Sequence, residues 1–350
     1  MRIGLYGMPA AGKSYLLDQV DFIEVKQGSR MLREICCDFD SKDDEVKRTI
    51  RRKLAKLLSS EDAFIMDGHY SFGDKIAFTE SDGQLYDAFL YLYVSPEVLK
   101  KRMETSERNS KYLVYDIAEW QESEIESLRK YCHNNDKDFY IIDNPPENFF
   151  GDVTEVLEFI KAVANGYSCL GFAKKCSDEI LKKTDSDTVV LMDGDKTITI
   201  EDSSYAVFGY STHVYDGNFY TGYQSWRQDK EFKTYNIDAL SEMPVALNEA
   251  VCEAFTDNTY ILTSGHKRVW GYISQRLNIP FYQGVEMAAE TKLFITKFLQ
   301  YAGKKVIAYG DGMNDYYMLK QANTGYLVTK KDGTISRSLK ARNLEGLILV

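Results

Sequence analysis

The chain has 350 residues, 44% of them hydrophobic and 27% charged, and its 43 basic and 53 acidic side chains leave a net charge of −10. This is about twice a domain of roughly 150 residues, so two domains are expected, and the balanced composition excludes a disordered chain. The negative charge argues against a protein that coats nucleic acid or anionic membrane, and no apolar run nears the roughly 20 residues that span a bilayer.

The opening MRIGLYG lacks the layout of a secretory leader, and the six cysteines (Cys36, Cys37, Cys132, Cys169, Cys176 and Cys252) form no CxxC pair. A cytoplasmic location with reduced thiols is therefore expected, without disulfides or structural zinc. In chain order, residues 1–6 (MRIGLY) read as a strand that enters a Gly-rich turn, and AFIMD and FLYLYV follow as further short apolar runs. A strand-like FYIID ends at Asn144-Pro145-Pro146, and two helices are expected over residues 153–164 and 172–183, with a domain boundary near Gly166. Residues 188–192 (TVVLM) open a second series of strands, continued by YILTS and VIAYGD. Apolar runs of four to six residues between amphipathic stretches predict parallel strands buried on both faces. The fold class expected is α/β: two tandem three-layer α/β domains with mainly parallel sheets, over residues 1–165 and 166–350.

Gly7-Met8-Pro9-Ala10-Ala11-Gly12-Lys13-Ser14 fits GxxxxGK[ST] at every specified position. The glycines let the backbone turn so that the N–H groups of the loop, through Ala10, Ala11 and Gly12, cradle phosphate oxygens. Lys13 reaches the β/γ-phosphates and Ser14 ligates Mg²⁺ in this pattern, so ATP and Mg²⁺ are the expected cofactors. Other positions resemble adenylate-kinase-like nucleotide kinases. QGSRMLRE at residues 27–34 is similar to that family's acceptor segment, which makes Arg33 the acceptor-binding position. FIMDGHY at residues 64–70 resembles the strand-ending Asp-Gly that brings a carboxylate, here Asp67, near Mg²⁺ and the acceptor. The resemblance casts Arg102 and Arg108 as lid arginines that close on the transferring phosphates. The family's arginine after Asp-Gly is missing: His69-Tyr70-Ser71 stands there. His69 reads equally as an acceptor contact or base and as a structural histidine.

In the second half, Asp193-Gly194-Asp195-Lys196-Thr197 follows a strand, Thr263-Ser264-Gly265 ends another, Lys292 opens a helical stretch, and Gly310-Asp311-Gly312-Met313-Asn314-Asp315 ends a third strand. That set in that order resembles the haloacid-dehalogenase superfamily, and the GDGMND form its phosphoserine-phosphatase-type members. The resemblance implies Asp193 as a nucleophile that forms an aspartyl phosphate, with Asp195 as general acid and base. It implies that Ser264 or Thr263 binds the phosphoryl oxygens and that Lys292 neutralises the nucleophile and phosphate. The implied Mg²⁺ ligands are Asp193, the carbonyl of Asp195, and Asp311, with Asp315 close by. A small cap is expected at about residues 200–255, rich in aromatics that serve either as its own core or as a stacking surface for a base or sugar.

The reading is a bifunctional enzyme: an ATP-dependent P-loop kinase for a small molecule or nucleotide, fused to a Mg²⁺-dependent phosphomonoester phosphatase. Two alternatives stand beside it. Polynucleotide kinase–phosphatases join the same two kinds of domain, and the basic run Arg51, Arg52, Lys53 and Lys56 offers phosphate contacts. Alternatively the first domain senses ATP and regulates the phosphatase.

Overall fold

A computed structural model describes residues 1–143, 152–215, 219–235 and 245–350. The expected strand end at Asn144-Pro145-Pro146 and parts of the expected cap lie outside the described residues. The chain divides into two compact units, Met1–Tyr167 and Ser168–Val350. Gly166, at φ 102°, supplies a left-handed turn just before that boundary.

The first unit is built on β1 (Arg2–Tyr6), α1 (Lys13–Leu17), β2 (Val25–Lys26), α2 (Gly28–Ile35), α3 (Asp44–Leu58) and β3 (Phe64–Asp67). A small antiparallel hairpin of β4 (Ser71–Phe72) and β5 (Lys75–Ile76) follows, then α4 (Glu80–Leu85), β6 (Ala88–Tyr93), α5 (Pro96–Glu104), α6 (Ile117–Asn134), β7 (Asp138–Asp143) and α7 (Thr154–Ala164). The main sheet runs β2-β3-β1-β6-β7, and every pairing in it is parallel. β1, β6 and β7 are almost wholly buried, as continuous apolar runs demand of strands covered on both faces. The chain steps to opposite sides of β1 in forming the sheet, so a crevice opens at its carboxyl end, where the Gly-rich turn lies.

The second unit holds α8 (Cys169–Lys183), β8 (Thr188–Asp193), α9 (Ser203–Phe208), α10 (Gly222–Phe232), α11 (Glu249–Cys252), β9 (Thr259–Leu262) and α12 (Lys267–Leu277). It continues with β10 (Phe281–Tyr282), α13 (Ala289–Tyr301), β11 (Lys305–Gly310), α14 (Met313–Gln321), β12 (Thr324–Leu327) and β13 (Ile348–Leu349). Its sheet is β10-β9-β8-β11-β12-β13, again all parallel. Alternation along β8 assigns the two faces. Val189 and Leu191 pack with Ala173, Ile180, Phe294 and Leu299 of α8 and α13, while Val190 and Met192 pack with Val269, Trp270 and Ile273 of α12. Asp193 continues the odd-numbered face and therefore turns toward α13.

The insertion after β8 leaves and returns at one place. Thr199 and Leu247 form an isolated antiparallel bridge, flanked by Asn248 N–H donating to Ile198 O and Ile200 N–H donating to Ala246 O. Of its aromatics, Phe208 and Phe232 pack edge-to-face against both Tyr235 and His266 at centroid distances of 5.1–5.3 Å, and Tyr235 lies parallel to His266 at 6.1 Å. That cluster is cap core. Tyr215 and Tyr220 instead stack face to face, 5.2 Å apart and 5° from parallel.

Candidate active sites

In the first unit the turn after β1 takes left-handed backbone at Ala10 (φ 64°) and Gly12 (φ 94°) as well as φ 150° at Gly7. A Cβ on Gly7 would stand 2.8 Å from the carbonyl of Leu92, so the close pass of the loop over β6 needs glycine there. Lys13 is buried, and its Nζ donates to Gly7 O at 2.6 Å and Met8 O at 3.1 Å, spanning the loop. Burial lowers its pKa to about 8 against the opposing pull of Asp67 and Glu124. Ser14 is exposed at the start of α1. Arg102 Nη1 donates to Ala10 O and Ala11 O at 3.3 and 3.4 Å, so this predicted lid arginine sits on the loop.

His69 is half-buried, with Nδ1 3.5 Å from Lys13 Nζ. Burial, then Lys13, Arg108 and Arg51, hold its pKa well below the usual value, so the imidazole is neutral. Arg108 is exposed and Arg51 half-buried, yet both bear on His69 electrostatically. Asp67 Oδ1 accepts from Gly28 N at 2.8 Å and so pins the start of α2 to the end of β3. Arg33, in the last turn of α2, is exposed and its Nε is bound by Asp40 at 2.9 Å. Of the predicted residues, Gly7, Ala10, Ala11, Gly12, Lys13, Asp67 and Arg102 are thus gathered at one crevice, while Arg33 is engaged at the surface.

In the second unit the predicted residues converge at the carboxyl ends of β8, β9 and β11. Buried Lys292 in the first turn of α13 places Nζ 2.5 Å from Asp193 Oδ1 and 2.7 Å from Asp315 Oδ1. Asp315 Oδ2 accepts from the backbone N–H of Asp311 and Gly312, at 3.2 and 3.3 Å. Burial and Asp315 push the Asp193 carboxyl up to about 7, with Lys292 opposing. Asp311 is also raised, by burial and then by Asp315 and Asp193. Asp195 turns its carboxylate elsewhere: Oδ1 accepts from Ser203 N at 2.7 Å and Oδ2 from Trp270 Nε1 at 3.2 Å. Burial and Asp202 bring it up to about 6.

Between the two candidate hydroxyls the structure separates roles. Thr263 is buried and its Oγ1 accepts from Gly265 N, closing the turn. Ser264 Oγ donates to Met287 O at 2.6 Å and accepts from Asn314 Nδ2 at 2.8 Å, and it lines a cavity of about 280 Å³ over Asp193.

Residues 178–340, just under half of the chain, match the family model of haloacid dehalogenase-like hydrolases. The second unit is haloacid dehalogenase-like. No curated protein matches the chain. Solved structures similar to part of it include shikimate kinase from Acinetobacter baumannii in complex with shikimate, at 16% identity and TM-score 0.33, covering 46% of this chain and 93% of that one. Shikimate kinase from Bacteroides thetaiotaomicron is similar at 16% identity and TM-score 0.30, over 45% and 98% of the two chains. A haloacid dehalogenase family hydrolase from Salmonella enterica serovar Typhi is similar at 17% identity and TM-score 0.30, over 46% and 72%. No helix among the described residues is long and apolar enough to cross a membrane.

The haloacid dehalogenase-like site fits a divalent cation. Carboxylate oxygens of Asp193, Asp311 and Asp315 lie within 4.8 Å of one another, a hard-oxygen set that suits Mg²⁺. Asn314 Oδ1 is buried without a hydrogen-bond donor among the described residues, and its orientation is fixed because Nδ2 serves Ser264. That oxygen suits a proton from water on a bound ion. Asp315 already accepts three N–H bonds, so Asp193 and Asp311 have the oxygens to give, while both carboxylate oxygens of Asp195 serve Ser203 and Trp270.

A metal-dependent stability follows. Asp193 and Asp311 bind protons more tightly folded than unfolded, so their contribution is full below the ordinary value of 3.8 and is lost as pH rises, for Asp193 through about 7. Without divalent cation, melting temperature should fall from pH 5 to pH 8. Mg²⁺ at a hundredfold excess over its Kd should add about 2.7 kcal/mol at pH 8, and Asp311→Asn should lose most of that gain. A thermal scan with and without chelator checks this, and equal Mg²⁺ response in both proteins would contradict the ligand set.

Glu124 and Trp270 belong to no motif, and Arg51 stood out only as part of the basic run, yet all three shape the sites. Glu124, in α6, is buried beneath the first site, where it accepts from Ser71 N, Ser71 Oγ, Trp120 Nε1 and Tyr91 OH. Arg51 turns inward from the basic run of α3, 3.8 Å from Asp82 and over the ring of Phe39. Trp270 packs so closely on Gly194 and Gly265 that neither position has room for a Cβ.

Proposed function

We propose that the chain is a bifunctional enzyme: a Mg²⁺-dependent phosphomonoester phosphatase in its second unit and an ATP-dependent P-loop kinase, acting on a small molecule or nucleotide, in its first. The observation that carries the reading is Asp193 at the end of β8, held by Lys292 and flanked by Asp311 and Asp315. In the phosphatase, an Asp193 oxygen attacks phosphorus, the bond from phosphorus to the substrate oxygen breaks, and an aspartyl phosphate forms. The departing oxygen takes the proton of Asp195. Water then attacks the phosphoryl group and yields a proton to Asp195, which frees inorganic phosphate and restores the Asp193 carboxylate. Lys292 opposes protonation of Asp193 beside two other acids, and Ser264 with the N–H groups of its turn receives the phosphoryl oxygens. Bound Mg²⁺ supplies charge neutralisation at those oxygens.

In the kinase, Lys13 exchanges the carbonyls of Gly7 and Met8 for phosphate oxygens of ATP. Arg102 and Arg108 balance the charge spread over the transferring group, and Asp67 takes the hydroxyl proton of the acceptor as the γ-phosphoryl moves to it. With purified full chain and Mg²⁺, phosphate release from a small aryl phosphate and label transfer from γ-labelled ATP to small hydroxyl compounds are both expected. ATP that changes the phosphatase rate with no transfer would replace the kinase with a nucleotide sensor. Preferred turnover of oligonucleotide ends would make this a nucleic-acid end-healing enzyme.

Trp270 bears on the acid step because its N–H holds Asp195. Trp270→Phe should lower kcat for an alkyl phosphate about tenfold, the value of one hydrogen bond of about 1.4 kcal/mol, and that for p-nitrophenyl phosphate much less, because a phenolate leaves without a proton. Equal losses on both substrates would refute a positioning role.

A further inference from the structure

Beyond its phosphoryl centre, the described lining of the cavity over Asp193 carries two acids, Asp195 and Asp202, and one cation, Lys196. Lys196 is paired with Asp202 at 3.6 Å. Asp202 also accepts from the backbone N–H groups of Ser204 and Tyr205, and Asp195 is bound by Ser203 and Trp270. Lys292 is taken by Asp193 and Asp315. The remaining cap side of the cavity is Ser211, Thr212, Tyr215, Tyr220 and Gln228, all neutral groups that donate or accept hydrogen bonds. No arginine lines it among the described residues.

We propose that the phosphatase substrate is a monophosphate of a neutral polyhydroxylated molecule, a sugar or polyol phosphate without a second anionic group. The inference rests on the phosphatase reading above and specifies its leaving group. A carboxylate or second phosphate in this cavity would face Asp195 and Asp202 with Lys196, already paired to Asp202, as the one lining cation among the described residues, a cost that hydroxyls escape by exchanging water for Tyr215, Gln228 and the serines. The parallel pair of Tyr215 and Tyr220 adds a flat wall with polar rims, matched to a compact ring or chain. At about 280 Å³ the cavity lies just below the roughly 300–1,000 Å³ of most ligand sites, a size that suits a single sugar unit over Asp193.

The test compares matched phosphomonoesters on the full chain with Mg²⁺: glycerol phosphate against phosphoglycerate, and a hexose phosphate against its hexonate phosphate. p-Nitrophenyl phosphate, with and without Asp193→Asn, serves as the class-neutral reference. The neutral member of each pair should show kcat/KM at least tenfold higher, and Gln228→Leu should narrow that ratio mainly through KM. Carboxylated members turned over equally well or better would overturn the substrate class while leaving the phosphatase reading intact. Asp193-independent hydrolysis, or none of any compound, would remove the phosphatase reading and this inference with it.

Discussion

Asp193→Asn is expected to cut phosphomonoester hydrolysis by on the order of 10³-fold or more while ATP-dependent transfer continues at its wild-type rate. An amide cannot form the acyl phosphate, and no neighbouring group replaces it: Asp315 is committed to Lys292 and to two backbone N–H groups, and Asp195 to Ser203 and Trp270. The substitution keeps the shape of the side chain and removes one of two acids that share a lysine, so the unit should stay folded. Phosphate release measured beside far-UV circular dichroism checks both halves of that statement. A folded variant that still turns over at more than a tenth of the wild-type rate would contradict the nucleophile.

The complementary change, Lys13→Ala, should lower phosphoryl transfer from ATP by about 10²–10³-fold, the usual loss for one preorganised charge at a transferring group. Lys13 spans its own loop through Gly7 O and Met8 O, and with its pKa lowered to about 8 it is a cation held out of water where phosphate is expected to arrive. Hydrolysis of aryl phosphate by the second unit should be unaffected. Transfer that persists in a folded Lys13→Ala protein would mean that the loop does not serve ATP.

What was legible in the sequence was local. The glycine turn after β1 and the DGDKT turn after β8 are short contiguous patterns whose chemistry is fixed by their spacing, and both stand at the carboxyl ends of parallel strands. The short apolar runs read as buried strands for the same reason, since a strand covered on both faces has no polar alternation to confuse it. α1 ends at Leu17, where Asp18, Val20 and Asp21 are weaker helix formers. Contacts made across the fold left no such trace. Trp270 meets Asp195 across 75 positions, and Glu124 meets Ser71 across 53. Arg33 matched an acceptor motif by sequence, but a nearby acid, Asp40, is its partner in space. The choice between Thr263 and Ser264 also needed the fold, because only the hydrogen bond from Gly265 shows which hydroxyl is spent on the turn. Cap aromatics divide likewise: Phe208 and Phe232 close on His266, while Tyr215 and Tyr220 face the cavity.

The most direct test of the account is to trap the covalent intermediate. The full chain is mixed with a ³²P-labelled small phosphomonoester and Mg²⁺, quenched in acid within the first turnover, and digested for peptide mapping. The account predicts an acid-stable, hydroxylamine-labile label on the peptide that carries Asp193, absent from Asp193→Asn. Phosphate release without any protein-bound label, or label that survives the substitution, would contradict it.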